Sequence, residues 1–136
     1  MDTVEFLILR SLIFNEEYLR KVVPFIKAEY FEDPNQKIIF EEVLNFVQEY
    51  NQQATKEILC IEIEKRQDIN DSTFKEIVNL IGSFEDTTVE YNWLVATTEK
   101  WCRDRAIYLA LMESIGIADG QDQKKNRDAI PSILSD

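Results

Sequence analysis

The stretch NWLVATTEKWCRDRAIYLALMESI, residues 92–115, decides the fold class of this chain. Its first half carries apolar residues mainly on one side, as a helix that packs against a core does. From residue 106 to residue 112 every residue is apolar, so this part requires cover on more than one face. Thr87 and Glu90 have the spacing of a capping box, and no helix breaker follows before Gly116. The pattern predicts one long helix over residues 88–118.

The length of this helix has a consequence for its surroundings. At ~1.5 Å per residue it would be about 45 Å long. Residues 1–86 are too few for a body much wider than roughly 30 Å. We therefore expect the C-terminal half of the helix, which holds the apolar run, to extend beyond a globular head.

Composition favours an all-α fold for the whole chain. The 136 residues are 45% hydrophobic and 11% aromatic, which is sufficient for a core. Three Gly and three Pro are too few for the turns of a β-sandwich or barrel. We predict a compact bundle of five to six short helices over residues 1–86, followed by a helical hairpin over residues 87–136.

Cap signals divide the head into its short helices. The N-cap candidates are Asp2 with Glu5, Asn15, Asp33 followed by Pro34 and Gln36, and Thr55. Residues 58–64 alternate between apolar and polar side chains in the manner of a strand. We nevertheless predict helix there, because a single strand would have no partner for its backbone hydrogen bonds.

The C-terminal residues predict a second hairpin helix that is cut short. A polar turn over residues 119–128 precedes Asp128, a candidate cap, and residues 129–136 begin a new apolar stripe. Such a stub would cover only part of the long helix. We expect the chain to be a fragment of a longer protein or to rely on another subunit.

The charge of the chain argues against a domain that grips nucleic acid. The net charge is −11, from 26 acidic and 15 basic residues, and such a surface repels phosphate. Lys124, Lys125 and Arg127 form one basic patch in the predicted turn. A solvated turn is the ordinary interpretation of that patch, and a weak contact to single-stranded nucleic acid is the alternative.

The residues that most enzymes depend on are missing. The chain has no histidine and no phosphate-binding loop of the form G-x-x-x-x-G-K-[ST]. Cys60 and Cys102 form no CxxC pair, so we expect free thiols in a reducing cytoplasm. No apolar run approaches the ~20 residues that span a bilayer, and a soluble protein is expected. We predict no catalytic, cofactor-binding or metal-binding residue.

Three runs of sequence carry a resemblance to a known family. They are VEFLILRSLIFNEEYLRKVVPFIKAEYFE at residues 4–32, WLVATTEKWCRDRAI at residues 93–107 and AIPSIL at residues 129–134. With the head-plus-hairpin layout, they make the chain resemble the N-terminal domain of DnaB-type replicative helicases, in particular the primase-associated helicase of T-even-like bacteriophages. The resemblance spans essentially the whole chain.

The resemblance implies a non-catalytic collar module of a phage hexameric helicase. In that family the N-terminal domains pair through their hairpins into a trimer of dimers and couple the helicase to primase. ATP and Mg²⁺ would then be needed only in an absent motor domain, and DNA would be bound only by the full-length ring. A helicase loader is a further candidate partner, no membrane is implied, and the expected location is the cytoplasm of the infected bacterium.

The residues themselves indicate where subunits would meet. Leu94, Trp101, Tyr108 and Ile115 recur every seven residues, which predicts a seam facing one neighbour, and Ile107 lies off it. Trp93, Leu94 and Trp101 are expected to pack on the head. The predicted subunit or partner interface comprises Tyr108, Leu109, Leu111, Met112, Ile115, Ile130, Ile133 and Leu134.

Two other functions fit parts of this pattern. The helicase-binding domain of a primase shares the layout but normally closes its chain, whereas here Met1 opens the domain. A stand-alone phage helicase loader or adaptor would contact DNA through the basic patch, which the net charge of −11 disfavours.

Overall fold

A computed structural model describes residues 3–118 of the chain. Over that range the chain is helical and contains no strand, which confirms the predicted all-α class. The α-helices are α1 (Val4–Phe14), α2 (Glu16–Val22), α3 (Pro34–Tyr50), α4 (Lys56–Glu64), α5 (Asp71–Gly82) and α6 (Tyr91–Ala118). Two 3-10 turns, Val23–Phe25 and Ala28–Tyr30, connect α2 to α3. The predicted turn at 119–128 and return helix at 129–136 lie outside the described residues.

Side-chain caps set the first residue of the short helices. Asn15, Asp33 and Thr55 accept hydrogen bonds from backbone amides in the first turns of α2, α3 and α4, as predicted. The predicted cap at Asp2 with Glu5 is wrong, because the hydroxyl of Thr3 accepts from the amide of Phe6 and is the cap of α1. These bonds satisfy amides that have no partner inside the helix.

The ambiguous segment 58–64 is helical. Leu59 and Ile63, one helical turn apart, are fully buried, while Ile61 between them is 56% exposed. A strand would have placed all three on the same face. α5 likewise buries Ile77 and Ile81, which lie four residues apart.

The core of the head is built around α1, as its apolar sequence predicts. Ile8, Leu9, Leu12 and Ile13 are all buried, so α1 has neighbours on several sides. The segment after α2 turns its aromatics inward at two positions, since Tyr30 and Phe31 are buried and the Phe31 ring lies 5.4 Å from that of Phe40. Tyr50, the last residue of α3, is 55% exposed.

The long helix begins later than predicted. The carboxylate of Glu90 accepts from the amide of Trp93, so Glu90 itself caps α6 at Tyr91. Thr87 instead donates its hydroxyl to the carbonyl of Glu85, 3.3 Å away, and is not the cap. Leu94 is buried as predicted, but Trp93 is 53% exposed, so its expected packing on the head is wrong.

The chain divides into two units, residues 1–99 and residues 100–136. Within the first unit, the start of α6 is tied to α2 by one buried polar contact. The hydroxyls of Tyr18 and Thr98 lie 2.7 Å apart, and Thr98 donates to the carbonyl of Leu94. The boundary predicted after residue 86 stays a prediction.

Candidate interaction surface

The C-terminal half of α6 carries a cluster of exposed apolar side chains. Over its 28 residues α6 is about 42 Å long, and it continues without interruption through the apolar run. The side chains of this cluster, called the α6 apolar face below, are each between 43% and 55% exposed: Ile107, Tyr108, Leu111, Met112 and Ile115.

The five side chains lie on one side of the helix. At ~100° per residue, positions 107, 111, 115, 108 and 112 fall within about 140° of one another. Tyr108, Leu111 and Ile115 follow the three-four spacing of a coiled-coil seam, with Ile107 and Met112 flanking it. The five side chains therefore form one continuous exposed face, and the number of neighbours that cover it stays a prediction.

The predicted interface residues do not all share this exposure. Tyr108, Leu111, Met112 and Ile115 are exposed, whereas Leu109 is half-buried and lies off the α6 apolar face. Sequence reasoning left Ile107 out of the interface, although it is the most exposed member. Its position four residues before Leu111 was the signal that could have included it.

Charged residues on the same half of α6 pair along the helix. The ammonium of Lys100 donates to Asp104, four residues later, at 2.7 Å. The guanidinium of Arg105 lies 5.0 Å from the ring centroid of Tyr108, at cation–π distance. Arg105 therefore contacts the one aromatic ring of the α6 apolar face.

Several predicted residues cannot be placed. Ile130, Ile133 and Leu134 of the interface, and Lys124, Lys125 and Arg127 of the basic patch, lie outside the described residues. Their roles stay predictions, as does the assignment of the whole set to a subunit interface.

Of the two cysteines, Cys60 is half-buried and Cys102 is buried. Burial raises the pKa of the Cys60 thiol, and the negative charge of Glu57 raises it further. The higher pKa favours the protonated thiol, which is unreactive. Within residues 3–118 no three Cys, Asp or Glu side chains are placed to share a metal ion. None of the helices described over residues 3–118 has the length and apolar composition of a transmembrane segment.

A comparison with protein families matches residues 2–94 to the DnaB-like helicase N terminal domain. The chain belongs to this family. The match spans the head and the first residues of α6, and it accounts for the helical fold of the head. The α6 apolar face lies after the matched range, so the family model does not assign it a role.

A relative extends the similarity beyond the family model. The chain is 30% identical to the DnaB-like replicative helicase of Enterobacteria phage T4, over 94% of its own length. It spans only 28% of the length of that helicase. The chain is therefore similar to a DnaB-like N-terminal domain together with residues that follow it, as the sequence resemblance predicted.

Proposed function

We propose that this chain is the N-terminal collar domain of a phage replicative hexameric DNA helicase. In this role it associates with neighbouring subunits and couples the ring to primase, without catalysing a reaction itself. The single observation that carries the proposal is that a DnaB-like N-terminal domain continues into a helix with a clustered apolar face. Such a face on a free monomer would be an aggregation risk.

The energetics of the α6 apolar face suit association between copies. Burying a half-exposed aliphatic or aromatic side chain contributes about 1 kcal/mol, so the five together contribute roughly 5 kcal/mol per subunit. Association itself costs several kcal/mol in lost translational and rotational freedom. A dimer that buried only this face would be weak, and the larger ring would add the remaining contacts.

In this proposal the collar itself binds neither ATP nor DNA. ATP and Mg²⁺ would act elsewhere in the full-length protein, because the described residues hold no metal-ligand cluster and the sequence has no phosphate-binding loop. A net charge of −11 makes direct DNA binding by this chain unfavourable. Contacts to primase, or to a loader, would therefore depend on protein surfaces.

Sedimentation velocity tests the association step. We expect the 136-residue chain to self-associate at high micromolar concentration, and Leu111→Asp to abolish that association, because it places a charge in the centre of the α6 apolar face. Ile61→Asp is the matched control, since Ile61 is an equally exposed aliphatic residue on α4. A strictly monomeric wild type, or equal loss in both variants, would contradict the proposal.

The coupling step requires the full-length helicase. We expect Leu111→Asp to reduce ring assembly and primase-dependent primer synthesis on forked DNA in parallel, with Ile61→Asp leaving ring assembly unchanged. Salt-sensitive, tight binding of fork DNA by the 136-residue chain alone would instead favour an adaptor that binds DNA.

A further inference from the structure

The α4–α5 surface of the head contains an open apolar groove of about 450 Å³. Cys60 and Ile61 of α4 and Val78 and Gly82 of α5 contribute to its lining. Ile61 is 56% exposed there, and a Cβ built on Gly82 would meet no atom within 4 Å. The groove is therefore unfilled by side chains of the head and wide enough for those of a partner.

One carboxylate, that of Glu57, lines the groove on its α4 side, and a second lies about two turns further along the same helix. Glu57 and Glu64 are exposed and lie seven residues apart, so they bracket Cys60 and Ile61 on one face of α4, about one helical turn to either side. The separation of the two positions along the helix axis is about 10 Å.

Lys56, which lines the groove, and the two basic residues that follow α4 contact local acceptors, whereas Lys75 on α5 is exposed. The ammonium of Lys56 donates to the carbonyls of Gly82 and Phe84, at 3.2 and 2.9 Å, at the end of α5. Lys65 pairs with Glu62 at 2.6 Å, and Arg66 binds carboxylates of the head, among them Glu42. Neither Glu57 nor Glu64 accepts these contacts, and both residues are exposed to solvent.

We propose that this groove docks a basic amphipathic helix from a partner protein. The partner helix would place aliphatic side chains against Ile61 and Val78, with Lys or Arg about one turn to either side to meet Glu57 and Glu64. The charge of the groove, together with the chain's net −11, selects a basic helix over an acidic one. This inference goes beyond the collar role, because it uses a surface separate from the α6 apolar face.

Fluorescence anisotropy with the 136-residue chain tests the inference. The probe is a labelled alanine-based helical peptide with leucines at i, i+3 and i+4 and lysines one turn to either side; its comparison peptide carries glutamate at each lysine position. We expect the lysine peptide to bind, with roughly tenfold loss in Ile61→Ser and in Gly82→Gln. Gly82→Gln fills the groove while favouring the helix, so a folding defect does not explain its effect.

Further variants test whether the carboxylates contribute to peptide binding and whether binding is specific to the groove. Glu57→Gln with Glu64→Gln is expected to weaken the lysine peptide roughly fivefold at low salt and to have little effect at high salt. Val4→Ser is the control, since it removes an exposed aliphatic side chain of α1, outside both the groove and the α6 apolar face, and should leave peptide affinity unchanged.

Three results would overturn the inference. They are equal binding of the glutamate peptide, unchanged binding of the lysine peptide in both Ile61→Ser and Gly82→Gln, and loss of self-association in Ile61→Ser, which would make a second copy the occupant. Failure of the collar proposal is distinguishable, because self-association would then be unchanged in Leu111→Asp, whatever affinity the lysine peptide has for the groove.

Discussion

Arg66, just after α4, joins three acidic residues. Its guanidinium donates to Glu42 at 2.7 Å, to Glu41 at 3.1 Å and to Asp68 at 2.7 Å. The side chains of Arg66 and Glu42 are only 18% and 12% exposed. Because Glu41 and Glu42 belong to α3, the cluster ties α3 to the chain that follows α4. We expect Arg66→Ala to lower the free energy of unfolding.

The size of the effect follows from the exposure of each contact. The charge-assisted bond to the nearly buried Glu42 contributes about 2 kcal/mol. The contact to Glu41, whose side chain is 38% exposed, adds at most ~0.5 kcal/mol after solvent screening. The contact to Asp68, whose side chain is 60% exposed, is screened by solvent and adds too little to count in this total. A total of about 2–2.5 kcal/mol corresponds to a fall in Tm of roughly 10 °C for a domain of this size.

Urea and thermal unfolding, followed by far-ultraviolet circular dichroism, measure this loss. Lys65→Ala is the matched control, because it removes the neighbouring cation from an exposed pair with Glu62 and should leave Tm unchanged. Arg66→Lys should fall between wild type and Arg66→Ala, since an ammonium cannot bridge three carboxylates as the planar guanidinium does. A change below about 0.5 kcal/mol in Arg66→Ala, or an equal loss in Lys65→Ala, would refute the reasoning.

Three further predictions use the same measurements. Tyr18→Phe removes the buried 2.7 Å contact to Thr98 and should cost about 1 kcal/mol of unfolding free energy, with the helical spectrum unchanged. Asn51 has a φ of 54°, so Asn51→Ala should lower the free energy of unfolding by about 1–2 kcal/mol. Asn51→Gly should lower it less, because glycine tolerates that φ. Equal losses in the two variants would show that the backbone conformation is not the cause. The hydrogen bond from Arg66 lowers the pKa of the Asp68 carboxyl in the folded chain. The contact therefore contributes its full stabilisation above the ordinary carboxyl pKa of about 4. That stabilisation is lost as the pH falls through the lower pKa that the carboxyl has in the folded chain. The Tm difference between wild type and Asp68→Asn should therefore shrink with acidification below about pH 4, and a difference that grew would contradict the assignment.

The helices of the head could be predicted from local sequence because their signals act over a few residues. Asn15, Asp33 and Thr55 cap the helices that they were expected to cap, since a side-chain oxygen and the amide it accepts lie within one turn. The wrong caps have the same origin. Thr3 and Glu90 stand beside equally suitable candidates, and the backbone path before each helix decides which oxygen reaches the amides.

The exposed surfaces could be predicted less well. The sequence indicated an interface in residues 108–115, but it counted Leu109 as a member and omitted Ile107. The groove between α4 and α5 had no signal in the sequence, because it depends on how two helices pack at Ile81 and leave Gly82 uncovered. Trp93 likewise has an apolar sequence context and an exposed side chain.

By itself, the sequence determined that this chain is all-helical, that it has a DnaB-like head, and that its long helix has more apolar surface than one packed face requires. Helical period, caps and composition are properties of the sequence itself, and they can be recognised without knowing which helices pack together. Only the tertiary structure decided that Tyr18 forms a hydrogen bond with Thr98, 80 residues away in sequence, and that Arg66 forms ion pairs with acidic residues of α3. It also decided which apolar side chains stay uncovered. Those outcomes depend on which helices pack together, and the distances between distant segments are not encoded in any short stretch.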